Sequence, residues 1–188
     1  MAAKVKGAAL QARRACVEEE YGAAEWQRVL EALPAEDADI LRGLLLASSW
    51  YPFELNARLD DAIVEQVGRG DASIFETLGA RSAQQNLTGP HRAFLGGKDP
   101  QRFLAMTDRI YGFYYDSGHR EYEPTGPTSG VITTYDAETF SETDCMTVVG
   151  WYRRALEMCG ATSIRIEHEE CRARGGEVCR YRLAWDAA

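Results

Sequence analysis

The stretch that most constrains this chain is HEECRARGGEVCRYRLAW, His168 to Trp185. The polar and apolar residues after Cys179 alternate, which is the pattern of a half-buried strand. Gly175–Gly176 sits between two such runs and marks a β-hairpin, Thr162–Glu170 with Val178–Trp185. Within it the spacing is His168, two residues, Cys171, seven residues, Cys179. A turn about Gly175 sets Cys171 opposite Cys179, and opposed side chains lie about 5 Å apart at Cβ. That suits two thiolates sharing one ion.

A third thiol, Cys145, lies upstream at the start of a helix that runs to Met158. Thr143–Asp144 reads as its N-cap, and a thiol at a helix N-terminus is drawn toward thiolate by the helix dipole. Three sulfurs and the His168 nitrogen make a closed tetrahedral set, usual for structural zinc. One point resists. In an ideal strand His168 and Cys171 face opposite ways, so a bulge at Glu169–Glu170 is required. Glu167, Glu169 and Glu170 stay open as alternative fourth ligands. The plain alternative is a reduced core of buried cysteines with His168 on the surface. A hydrolytic Cys–His pair is a third reading, but nothing marks an oxyanion hole or a group to orient the base.

Composition narrows the setting. The chain has 188 residues, is 45% hydrophobic and 27% charged, and is read as one domain over 1–188. No apolar run approaches the roughly 20 residues of a membrane helix. No signal-peptide core stands at the N-terminus, so a cytoplasmic protein without membrane contact is expected. The net charge of −8 argues against direct nucleic-acid binding. Arg13–Arg14 and Arg153–Arg154 read as solvated pairs. Five cysteines, an odd number without a secretion signal, argue against disulfides.

The N-terminal part, about 1–117, reads as helical. Helices are expected over Ala8–Glu20, Glu25–Leu33 and Asp37–Leu46, the last broken by Trp50-Tyr51-Pro52. Leu55, Leu59, Ile63 and Val67 form a stripe at a spacing of four. Asp71 is expected to cap a helix reaching about Leu87. Asp99-Pro100 opens another, with Phe103, Met106, Ile110 and Phe113 on one face. About 118–186 is sheet-containing: strands His119–Tyr122 and Gly130–Tyr135, the helix after Cys145 with Val148, Tyr152, Leu156 and Cys159 inward, a stop at Gly160, then the hairpin. The fold class is α+β, helices first and then β-β-α-β-β with an antiparallel sheet.

The Cys, Gly-turn, Cys, aromatic ending (Cys171, Gly175–Gly176, Cys179, Tyr181), with Cys145 and the helix ending at Gly160, resembles 4-vinyl-reductase domains. It also resembles the sensor domains of phenol-responsive activators. The phenol sensors hold zinc with an upstream Cys, an acidic residue and two hairpin Cys. The matching positions are Cys145, His168, Cys171 and Cys179, with His168 replacing the carboxylate. Over most of its length the chain is similar to an uncharacterised paralogous family of myxobacteria. That likeness rests on WYP at 50–52, DASIFETLGARSAQ, DPQRFLAMTDRIYGFYYDSG and the 145–151 segment.

These resemblances imply the fold shared by 4-vinyl-reductase, haem-NO-binding-like and TRAPP-component-like domains, often dimeric. They imply a non-catalytic sensory domain with structural zinc, taking a small apolar or aromatic ligand and signalling as a homodimer through a downstream protein. Haem binding in the haem-NO relatives needs a histidine on a helix. His91, His119 and His168 lie in loop-like or hairpin contexts, so haem is not expected. Without a DNA-binding or ATPase segment, output is expected to pass through another protein.

The alternative readings are a protein-protein scaffold without ligand and a zinc enzyme. Trp50, Tyr111, Tyr115 and Trp151 are the candidate ligand-pocket residues. Tyr111 and Tyr115 stand four apart on one helical face, so their hydroxyls are expected to converge.

Overall fold

The computed structural model describes residues 3–89 and 91–187. The helical part comprises β1 (Lys4–Lys6), α1 (Gly7–Tyr21), α2 (Ala23–Glu31), α3 (Ala35–Arg42), β2 (Trp50–Pro52), α4 (Phe53–Gln66) and α5 (Ile74–Thr88). A 3-10 turn at Arg92–Leu95 leads to α6 (Pro100–Leu104) and α7 (Thr107–Tyr111). Then come β3 (His119–Gly126), β4 (Ser129–Tyr135), α8 (Glu142–Met158), β5 (Ala161–Glu170) and β6 (Cys179–Ala187). The last four strands form an antiparallel sheet in the order β3-β4-β6-β5. The α+β architecture is therefore as expected.

Periodicity decides which faces are buried. Leu55, Leu59 and Ile63 of α4 pack with Leu10, Val17, Trp26 and Leu41 in one apolar cluster. Val148, Tyr152, Leu156 and Cys159 line a second cluster with Ile132, Tyr181, Leu183 and Trp185 from the sheet. The helix α5 serves both, with Phe75 and Leu78 in the first and Ala83 and Leu87 in the second. It lies so close to α8 that a Cβ at Gly150 would come within 1.9 Å of Glu76 O, and one at Gly79 within 2.0 Å of Thr147 O. Only glycine permits that approach.

Several boundaries differ from expectation. The Trp50-Tyr51-Pro52 segment does not merely break a helix; it pairs antiparallel with Lys4–Lys6. Helix α3 stops at Arg42, short of Leu46. Asp71 is not the cap of α5: Ser73 holds that position, and Asp71 Oδ1 accepts the Ser73 N–H at 2.8 Å. Asp99 does cap α6, accepting from Arg102 N at 3.2 Å. The expected long helix after it is divided into α6 and α7, and Phe113 is 39% exposed. Ser141, rather than Thr143–Asp144, caps α8; its hydroxyl accepts from Asp144 N at 3.0 Å. None of the helices described is long and apolar enough to cross a membrane.

Candidate metal centre and adjoining cavity

The hairpin brings its ligand-type side chains together through an irregularity at the position the facing rule demanded. His168 pairs with Tyr181, but Glu170 pairs with Arg180, a one-residue shift at Glu169. The bulge turns His168 and Cys171 to one side. Gly175, at φ 90°, closes the turn in the left-handed region, and Gly176 N donates to Cys171 O at 2.9 Å. The ligand atoms of Cys145, His168, Cys171 and Cys179 lie within 4.8 Å of one another, the three cysteines buried and His168 half-buried. Cys145 Sγ is 3.7 Å from both Cys171 Sγ and Cys179 Sγ. This Cys3His set can hold a metal ion.

Its surroundings orient the donors. The His168 ring stacks on Tyr181 at 4.5 Å and 11°. Its Nε2 is buried without a hydrogen-bond partner. Arg174 Nη2 stands 3.3 Å from Nδ1; with Nε2 on a metal, Nδ1 carries the proton and this donor-to-donor contact must yield. Arg172 N donates to Cys179 Sγ at 3.5 Å. Cys145 S–H, His168 and that N–H together hold the Cys179 thiol below its usual range. The Cys145 thiol is pushed up, by donating to Cys179 and by burial. Of the three glutamates left open as ligands, two are engaged elsewhere: Glu170 Oε1 accepts from Glu177 N at 2.8 Å, and Glu169 pairs with Arg182; Glu167 is not among the residues whose ligand atoms gather here. Cys16 and Cys159 are core thiols, the latter raised to about 11 by burial.

Next to Cys145 on α8, Asp144 belongs to a different set. Arg13 is 2% exposed and grips both oxygens of fully buried Asp60. Asn56 and Thr143 donate to the same carboxylate at 3.2 and 3.3 Å. Burial pushes the Asp60 carboxyl up and Arg13 pulls it back. Asp144 accepts from Tyr115 Oη at 2.8 Å and lies 3.9 Å from Arg13; burial lifts its carboxyl to about 6. Arg13 is thus no solvated residue, contrary to the reading of the Arg13–Arg14 pair.

Beside this seam lies a cavity of about 50 Å³, with Arg13, Tyr111, Tyr114, Arg120, Trp151 and Tyr152 among its lining residues. Tyr111, Tyr115 and Trp151 are at its wall. Trp50 is not: it stands in β2, 39% exposed, under Lys6 Nζ at 3.7 Å. The Tyr111 and Tyr115 rings stack at 4.8 Å, but their hydroxyls diverge, to Ser117 O and to Asp144. Arg13, Asp60, Tyr114, Arg120 and Asp144 escaped the sequence reading. A usable signal exists for Arg13, which falls with Leu10 and Val17 on one helical face.

The architecture is that of the H-NOX proteins. An H-NOX protein from S. oneidensis in the Fe(II)NO ligation state superposes with TM-score 0.73 at 14% identity, covering 96% of this chain and 99% of that one. The Fe(II) unliganded H-NOX protein from K. algicida gives 0.72 at 14%, covering 97% of each chain. An oxygen-binding H-NOX domain related to soluble guanylate cyclases gives 0.71 at 12%, covering 96% and 95%. By sequence the chain belongs to the family described as protein of unknown function, DUF2378, matched over residues 50–186. No curated protein matches the sequence.

The residues do not fit a haem. His91 precedes a 3-10 turn, His119 begins β3 and His168 lies in β5, so none stands on a helix. The cavity of about 50 Å³ beside the seam is far below the roughly 300 Å³ at which cofactor pockets begin, and the pocket of about 640 Å³ that His91 borders meets that histidine in a loop, not on a helix. A cavity of about 150 Å³ is one that admits benzene, so an aromatic ligand does not fit the cavity beside the seam either.

Proposed function

We propose that the chain is a non-catalytic, ligand-binding sensory domain whose C-terminal hairpin is tied to α8 by a structural zinc ion. The observation that carries the sensory reading is the composition of the cavity wall. Ala9 and Arg13 come from α1, and Val148 and Trp151 come from α8. An occupant there touches the first long helix and the helix that carries Cys145. Occupancy thus biases the packing of the two against each other, and a protein partner reads the result. Homodimerisation belongs to this reading as the arrangement in which the output is read.

Zinc is supported by the sulfur spacing. Two thiolates at about 2.3 Å from one tetrahedral ion stand about 3.8 Å apart, and the separations here are 3.7 Å. The buried, partnerless Nε2 of His168 supplies a fourth donor. Four protein donors fill the tetrahedron, whereas a zinc enzyme keeps a position open for water. The likeness to 4-vinyl-reductase domains and phenol sensors remains part of this proposal.

The test is native mass spectrometry of the purified protein together with a thermal-shift ligand screen and sedimentation. A retained or stabilising small molecule is expected. A chain that retains nothing and responds to nothing sinks the sensory reading. The scaffold reading would then stand, favoured by Ile40, Leu44 and Leu46, which are 41%, 85% and 51% exposed around the end of α3.

A further inference from the structure

The cavity has a pronounced charge character. Its two charged lining residues are both arginines, and no carboxylate is among the described residues that line it. Arg13 is neutralised by Asp60. Arg120 is not. It is 7% exposed, with Nε donating to Thr134 Oγ1 at 2.8 Å. Its guanidinium lies over the Tyr111 ring at 4.6 Å and the Tyr152 ring at 5.7 Å. Among the described residues it forms no ion pair: Asp108 accepts its peptide N–H at 2.9 Å without pairing with the guanidinium, and the buried Asp144, whose carboxyl feels the Arg120 charge, is engaged by Tyr115 and Arg13 instead. Buried cations without a counter-charge are strongly disfavoured.

Two further groups on the wall lack partners. Trp151 is 7% exposed, and its Nε1 has no hydrogen bond; neither has Tyr114 Oη. If the indole turns its N–H to the phenol oxygen, the phenol proton is still without an acceptor. One cation without an ion pair and two donors without acceptors thus belong to residues on the wall of a space whose lining holds no carboxylate. A water fills roughly 10–15 Å³ of such a space, so about 50 Å³ admits three or four heavy atoms.

We propose that this cavity binds a small monovalent oxyanion, of the size of formate, acetate, nitrite or nitrate, held by Arg120 with Tyr114 and Trp151 donating to its oxygens. A guanidinium's flat fork matches the planar oxygens of such ions. The proposal rests on the reading of the chain as a ligand-binding domain and names the class of ligand.

Calorimetric titration and thermal melts of the intact chain provide the test. Sodium formate, acetate, nitrite and nitrate are compared with sodium chloride at equal ionic strength, and with neutral formamide and acetamide. At least one oxyanion is expected to bind saturably at one per chain and raise the melting temperature. Whether the carboxylates or the nitrogen oxyanions do so identifies the source. Arg120→Gln should weaken binding at least about tenfold. Should that variant fail to fold, Trp151→Phe and Tyr114→Phe keep their rings and should each weaken binding several-fold. Amides binding as well as the anions would overturn the anion assignment while leaving a ligand-binding domain. Binding untouched by every variant would place it elsewhere and overturn the proposal. No binding by any of the probes, joined to a failed ligand screen, would remove both readings.

Discussion

Asp144 and Cys145 are neighbours in the first turns of α8, yet they serve two buried polar sites of opposite logic. The seam of Arg13, Asp60 and Asp144 is self-sufficient in charge: a cation meets carboxylates, and Asn56, Thr143 and Tyr115 donate to them, with Asn56 Oδ1 the one seam atom left without a partner among the described residues. The sulfur cluster is not. Three thiols and an imidazole share weak S–H contacts and one partnerless nitrogen, a set that could hold a cation. The first site is completed by the chain's own side chains; on the zinc proposal the second is completed by an ion. The difference predicts that the two respond differently to what is removed.

The largest effect belongs to the sulfur cluster. Metal analysis under reducing conditions is expected to find one zinc per chain, lost in Cys171→Ser. Structural zinc contributes upward of about 10 kcal/mol in small peptides. Here two apolar clusters share the work, so the expected fall in melting temperature on metal loss is about 10 °C or more. A fully loaded protein whose melting is indifferent to chelation would show that the cluster, too, is self-sufficient.

Removing one partner of the seam comes next. Asp60→Asn leaves buried Arg13 with only Asp144, 3.9 Å away, as counter-charge, and should cost up to the about 3–5 kcal/mol seen when one partner of a buried pair is removed. Replacing both, as Arg13→Met with Asp60→Leu, should cost less, because the closest charge pair disappears together and Asp144 can take up a proton in place of its cation. Denaturant melts of the three variants check this. Equal losses in the single and double variants would mean that packing, not charge compensation, holds the seam. Metal content should be unchanged in all of them.

The two sites also differ in how far the sequence discloses them. Three of the four sulfur-cluster residues fall within twelve positions, and strand alternation alone demanded the bulge that the register shows between His168 and Glu170. Local rules suffice there. The seam joins residues 13, 60, 115 and 144, whose spacing obeys no local period, so only the packed fold reveals it. Arg120 is hidden differently: it lies in HREYE, a run that looks solvated, and alternation alone turns it inward. The same division runs through the fold. The stripes of α4 and α8 and the Asp99-Pro100 start were legible. The β1–β2 pairing was not, because it joins two three-residue segments far apart in sequence. Nor was the break between α6 and α7, since Ala105 and Met106 are good helix formers and carry no stop signal.

The smallest effect probes where the sites meet. Ser141 caps α8 and fixes the turn carrying Thr143 and Asp144 of the seam and Cys145 of the cluster. Ser141→Ala removes one hydrogen bond to an otherwise unpaired N–H and should cost about 1 kcal/mol. A self-sufficient seam re-forms its contacts around a frayed cap, so that loss should appear in the melting of metal-free protein. In zinc-loaded protein the Cys145 bond to metal holds the same turn, and the loss should shrink. A double comparison, with and without Ser141 and with and without zinc, reads this coupling. Equal losses in both states would show that the metal fixes the hairpin alone and leaves the start of α8 to its cap.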